Sequence, residues 1–177
     1  MAHIHTGKDE HDYTFGAYIV KLDKPEPKVL LHMHKKMEML FPIGGHIELV
    51  ETPWQAAKRE IFEESGYDFN QLKILQPKNS LRALSDVNLH PYPIAISDQD
   101  PMPGHFHTDI AFGFTTLEYP KAKPLAGESL DLRWLSHNEL ISLSEKQIFP
   151  NTKAIYLYLL DTCLAEWESL DTSYFKN

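Results

Sequence analysis

Residues 44–67, GGHIELVETPWQAAKREIFEESGY, constrain this 177-residue chain more than any other stretch. Thr52 stands where an N-cap belongs, Pro53 suits the first helical position, and Gln55 completes a capping box at N3. Gly66 supplies the stop. The spacing predicts a helix from about Pro53 to Ser65, entered from the paired glycines Gly44 and Gly45. At ~100° per residue, Trp54, Ala57 and Ile61 fall within about 60° of one another and form the stripe to be buried. Glu60, Glu63 and Glu64 occupy the adjacent arc, with only the small Ala56 among them.

As a purely structural element this helix is poorly written. Glu60 and Glu64 are like charges at i,i+4, which costs about 0.2–0.5 kcal/mol. All three glutamates lie toward the C-terminal end, where the macrodipole disfavours each anion by about 0.3–1 kcal/mol. Arg59 offsets part of this by pairing with Glu63. A solvated acidic face is the ordinary explanation for such a run. A bound hard divalent cation, Mg2+ or Mn2+, would instead remove the objection, because these ions take carboxylate oxygens as ligands.

The larger pattern decides between the two. Gly45, Glu51, Arg59, Glu60, Ile61, Glu63, Glu64, Gly66 and Tyr67 fit G-x5-E-x7-R-E-U-x-E-E-x-G-U, with U a bulky apolar residue. That is the Nudix box, and the chain resembles the Nudix hydrolases. KVLLHMHKKMEMLFPIGGHIE before the box is similar to the family's strand-loop-strand, and ESLDLRWLSHNEL to its closing strand and helix start. Ile43 (where many members have proline) and Tyr67 depart from the usual choices without touching the acidic set. The resemblance implies an α/β/α sandwich with a mixed β-sheet, and hydrolysis of a nucleoside diphosphate linked to another moiety. It implies Glu60, Glu63 and Glu64 as metal ligands, aided by the Gly44 carbonyl, and Glu60, Glu64 and Arg59 as the catalytic set. Glu60 is the candidate base, Arg59 would orient Glu51, and Gly45 and Gly66 would shape the two loops. Outside the box, Glu48 and Glu128 are candidates for substrate or metal contact, whereas Glu118 better fits a surface role.

Such chemistry needs no nucleophilic side chain. Divalent cations bridging phosphate oxygens neutralise charge and acidify the attacking water, and a positioned carboxylate accepts its proton, an effect worth about 10²–10⁴ in rate. A nucleotide-sensing Nudix module that does not hydrolyse its ligand is the alternative; every box glutamate is present, which tells against it. An isoprenoid diphosphate isomerase would need a pocket cysteine, and Cys163 sits in an expected C-terminal helix.

Charge narrows the partners. Seventeen basic against 25 acidic residues leave a net charge of −8, which repels a nucleic-acid polymer but allows a small phosphorylated substrate, expected to be a nucleotide. No apolar run approaches the ~20 residues of a membrane span, and Met1–His5 lacks a signal peptide's basic and apolar regions. A single cysteine suits a reducing compartment. The expectation is one cytoplasmic Nudix domain over 1–177, with a homodimer left open.

Elsewhere, YTFGAYIVKL (13–22) and KVLLHMH (28–34) read as a strand hairpin across DKPEP. Residues 76–104 hold five of the twelve prolines and read as a long functional loop with no central strand. HFHTDIAFGFTTL (105–117) reads as a strand on which His105, His107 and Asp109 share a face. Three readings stay open for this face: a wall of the substrate pocket, an exposed strand face, or a zinc site. The pocket wall is the one taken for His105 and His107. His32 and His34 also share a face. Ser136 and Glu139 form another capping box, and Asn151 would cap a last helix running through Leu170, with Trp134 and Trp167 in the core. Phe15, Tyr18, Tyr92 and Phe106 are eligible to stack on a base.

Overall fold

A computed structural model describes residues 10–175. Met1–His5, on which the signal-peptide reading rests, lies outside the described residues. The central seam joins β1 (Glu10–Lys21) to β7 (His105–Thr116), parallel and in unbroken register from Glu10↔His105 to Lys21↔Thr116. Each strand of the seam then shares its outer edge between two antiparallel neighbours. Along β1 these are β4 (Ile43–His46) and, at the end, β2 (Lys28–His34). Along β7 they are β6 (Ala95–Met102) and β5 (Lys73–Pro77). β3 (Met39–Phe41) and β8 (Leu132–Leu135) flank β2, and β9 (Trp167–Asp171) closes the far side on β5. One parallel pair among antiparallel ones makes the sheet mixed, as expected.

Strand alternation sorts the two faces. Phe15, Ala17, Ile19, Phe112 and Phe114 pack with Trp54, Ala57 and Ile61 of α1 (Pro53–Ser65). Tyr18, Val20 and Ala111 point the other way, into a cluster with Leu140 of α2 (His137–Ser142) and Tyr156 of α3 (Pro150–Tyr158). Helices therefore cover both faces, giving the α/β/α sandwich.

Two expectations need correction. Residues 76–104 are not all loop: β5 reaches Pro77 and β6 begins at Ala95. Among the described residues β6 pairs only with β7, and it loses register between Gln99 and Met102, beside Pro101, so the prolines sit where a strand edge and an irregularity tolerate them. The last helix also differs. Phe149 takes the N-cap without a side-chain bond and Pro150 takes N1, so Asn151 caps nothing. A π-helical turn (Leu159–Cys163) then buries Leu159 and Cys163 together. A short helical stretch ends at Glu166. From Trp167 the chain is strand, because five residues pair with Lys73–Pro77 and tertiary pairing outweighs weak local helix preference. Trp167 still packs against the second cluster, but from β9.

Candidate active site

The loop-helix-loop forms as its local chemistry dictates. Thr52 accepts from the Gln55 amide and Gln55 reaches back to the Thr52 amide, so α1 opens on a complete capping box. At the other end Gly66 adopts φ 75°, and a Cβ there would run into the Ala122 carbonyl. The Leu125 amide donates to the Glu63 carbonyl and the Ala122 amide to that of Gly66. Backbone donors from 122–125 thus satisfy carbonyls at the dipole's negative end, which lessens the cost of acidic side chains there.

The same wrap carries Glu128 into electrostatic reach of Glu60 and Glu64. Tyr67, the odd last residue of the box, is buried and donates its hydroxyl to the Glu118 carbonyl at 2.6 Å. The side chain of Glu118 is exposed and lies with Gln71 and Lys121, in keeping with a surface role.

The paired glycines of β4 let α1's carboxylates approach the sheet. Gly44 lies at φ 150°, and a Cβ there would strike the Phe15 carbonyl of β1. Its amide donates to Glu64 Oε2 at 2.8 Å. A Cβ on Gly45 would sit 2.5 Å from Glu60 Oε1. Glu60 and Glu64 are 4% and 3% exposed, while the Glu63 side chain is 35% exposed.

Arg59 ties the acidic set together. Nε and Nη2 fork onto Glu51 at 3.1 and 2.5 Å, and Nη1 donates to Glu60 Oε1 at 2.7 Å and to Glu63 Oε2 at 3.2 Å. Nη2 also reaches the His46 carbonyl at 3.1 Å. The backbone of Glu48 places Glu51, its amide donating to Glu51 Oε1 and its carbonyl accepting from the Glu51 amide.

Burial raises the proton affinity of both inner carboxylates. Glu60 is pushed up by burial, opposed by Arg59. Glu64 is pushed up to about 8 by burial, against the lowering effect of the Gly44 amide. His32 of β2, with Nε2 3.8 Å from Glu64 Oε2, is held down to about 4 by burial and so brings no positive charge near neutrality. Glu51, Glu60 and Glu63 thus gather round a single guanidinium, with Glu64 held beside Glu60 by the Gly44 amide. Surplus oxygen donors with too little positive charge are what a hard divalent cation matches, so these residues fit Mg2+ or Mn2+.

The residues expected from the sequence therefore divide in two. Glu51, Arg59, Glu60, Glu63, Glu64, Gly44 and Gly45 come together, with Glu128 near. His105 and His107 lie on the β7 face shared with Ala111, turned away from α1. Phe15 and Tyr18 are core residues and offer no surface to a base, whereas Tyr92 is exposed. His32 was not foreseen beside Glu64. Its parity with Leu30, which packs in the α1-side cluster, was the available signal.

Comparison with known proteins shows the family and the fold. The NUDIX domain family model matches residues 12–158. A NUDIX-family hydrolase from Clostridium perfringens is 33% identical, with a TM-score of 0.69 over 84% of this chain and 95% of its own. Two solved structures share the fold at lower identity. The C. elegans Ap4A hydrolase is 18% identical with TM-score 0.58, covering 82% of this chain and 93% of that one. A UDP-X diphosphatase is 20% identical with TM-score 0.58, covering 88% and 66%. No curated protein matches the chain. An intact acidic box folded onto paired glycines, within a domain matched over most of its length, places this chain in the Nudix family as a pyrophosphohydrolase.

Proposed function

We propose that the protein hydrolyses a phosphoanhydride bond in a nucleoside diphosphate derivative, using Mg2+ or Mn2+ at Glu60, Glu63 and Glu64, with a single Nudix domain over 1–177. The observation that carries this reading is the seating of the two inner carboxylates on the paired glycines: the Gly44 amide donates to Glu64, and the missing side chain of Gly45 leaves room for Glu60. A divalent cation held there supplies charge neutralisation at the phosphates and acidifies the attacking water. The Gly44 carbonyl is the additional backbone donor in this reading.

The chain's own groups do the rest. Arg59, fixed by its fork on Glu51, holds the Glu60 carboxylate in one orientation. Glu60 accepts the water's proton, and Glu64 is held by the Gly44 amide. Glu48, whose backbone places Glu51, and Glu128, in electrostatic reach of Glu60 and Glu64, are further substrate contacts in this reading. Nucleoside triphosphates, sugar nucleotides and dinucleoside polyphosphates are the substrate classes. The names of the Ap4A hydrolase and the UDP-X diphosphatase favour the last two.

The test combines a screen of these compounds, with Mg2+ or Mn2+, and two substitutions. Glu60→Gln and Glu64→Gln should each lower kcat by about 10²-fold or more, while folding is retained or slightly improved in metal-free buffer. Near-normal turnover by either variant at saturating metal would remove that residue from the machinery. Unfolding of both would make the carboxylates structural. Binding of a nucleotide without turnover, by the wild-type chain, would favour the sensing module.

A further inference from the structure

Across the sheet from the glutamates, β1 and β7 bring three potential metal ligands to one place, with a fourth imidazole beside them. Strand alternation puts Asp12 of β1 and His105 and His107 of β7 on the face opposite α1. Asp12 and His107 are register partners at the seam. His46 of β4 joins them, since it pairs with Thr14, two residues along the same face as Asp12. All four side chains are buried: Asp12 is 2% exposed, His105 7%, His46 8% and His107 9%.

The ligand atoms converge. His105 Nε2 lies 3.0 Å from His107 Nε2 and 3.2 Å from Asp12 Oδ2, and His46 Nε2 lies 3.6 Å from the same carboxylate oxygen. A tetrahedral ion with bonds of about 2.0–2.2 Å sets its donors about 3.3–3.6 Å apart, so the separations of His105 from His107 and from Asp12 are close to the edges of such a shell, with His46 next to it. His105 Nε2 faces a carboxylate oxygen and a second imidazole nitrogen together, and lone pairs on all three atoms can converge on one shared cation. Asp109, which alternation groups with the two histidines, is engaged elsewhere: its Oδ1 accepts from Thr14 Oγ1 at 2.8 Å. Asp12 takes its place.

We infer that Asp12, His105 and His107, with His46 as fourth neighbour, form a second metal site, one for a zinc-like divalent transition ion. Imidazole nitrogen with one carboxylate suits Zn2+ and its neighbours, whereas the all-oxygen set on α1 suits Mg2+ or Mn2+. The site lies at the junction of β1, β4 and β7, and His46 connects it to the hydrolytic centre. Its side chain turns to the cluster, its carbonyl accepts from Arg59, and Gly45 beside it receives Glu60. An ion there would brace the strand that seats the catalytic carboxylates.

The experiment uses the full chain without a polyhistidine tag, stripped of metal and titrated with Zn2+ and with Co2+. Calorimetry and elemental analysis give the stoichiometry, and the visible absorption of four-coordinate Co2+ reports the ligand set. The wild-type chain should bind one equivalent that excess Mg2+ does not displace, with the Co2+ spectrum of a nitrogen-containing tetrahedral site. His105→Gln, His107→Gln and Asp12→Asn should each weaken this binding by more than tenfold, with native circular dichroism, while Glu60→Gln and Glu64→Gln retain it. Should the three cluster variants misfold, the spectrum and stoichiometry of the wild-type and the two glutamine variants decide the matter. Absence of a tight equivalent in the wild-type chain would overturn the inference. So would its loss in Glu60→Gln or Glu64→Gln with retention in His105→Gln.

Discussion

Gly45 shows how much of the chemistry depends on a missing side chain. A methyl group there meets the end of the Glu60 side chain, which can swing aside, rather than backbone, which cannot. Gly45→Ala should therefore fold normally but lower kcat by about 10²-fold, because a displacement near 1 Å at a reacting group costs about that much. Steady-state kinetics beside a thermal melt checks this, and a large loss of Tm with normal kcat would contradict it. Gly44 is less forgiving, since its added methyl would face the Phe15 carbonyl.

At the scale of elements, α1 separates stability from chemistry along its length. The capping box lies at Thr52, about three turns from Glu64. Thr52→Ala should cost about 0.5–2 kcal/mol in denaturant unfolding while kcat stays within about twofold, because no carboxylate moves. A collapse of kcat without loss of stability would show that the cap positions the site.

This helix was also the part most legible in the sequence. Its caps, stripe and acidic arc are local signals, and they placed both its ends and the residues that meet at Gly44–Gly45. Elements whose form depends on distant partners were less legible. WESLD reads as the end of an amphipathic helix until Lys73–Pro77 is known to lie beside it. The β6 strand was hidden by prolines that matter only in a central strand. The histidine cluster was half visible: alternation put His105 and His107 on one face, but Asp12 belongs to it only through the β1–β7 register, which no local pattern encodes.

For the molecule as a whole, Cys163 offers a probe of global opening. It is fully buried with Tyr156 and Leu159, and burial pushes its thiol up to about 11. Buried and protonated, it has no access to a substrate pocket and little nucleophilicity. A thiol reagent at neutral pH should leave it unmodified in the native protein and label it fully in denaturant, with the labelling rate following the unfolded fraction. Fast native labelling at a rate independent of stability would mean that the α3 layer opens by itself.

The parallel seam has a consequence for the chain's history as well as its final form. Asp12 and His107 meet across 95 residues of sequence, and the same offset holds along the whole length of β1. Pairing at such separation must close a long loop before any contact rewards it, which slows folding. On a ribosome adding about 5–20 residues per second, β1 waits roughly 5–20 s for β7 to be made. Through that interval an apolar strand of Phe15, Ala17, Ile19 and Val20 has no mate for its longer edge. The nascent chain is therefore at its most adhesive early in synthesis, and the arrival of residues 105–116 ends that exposure.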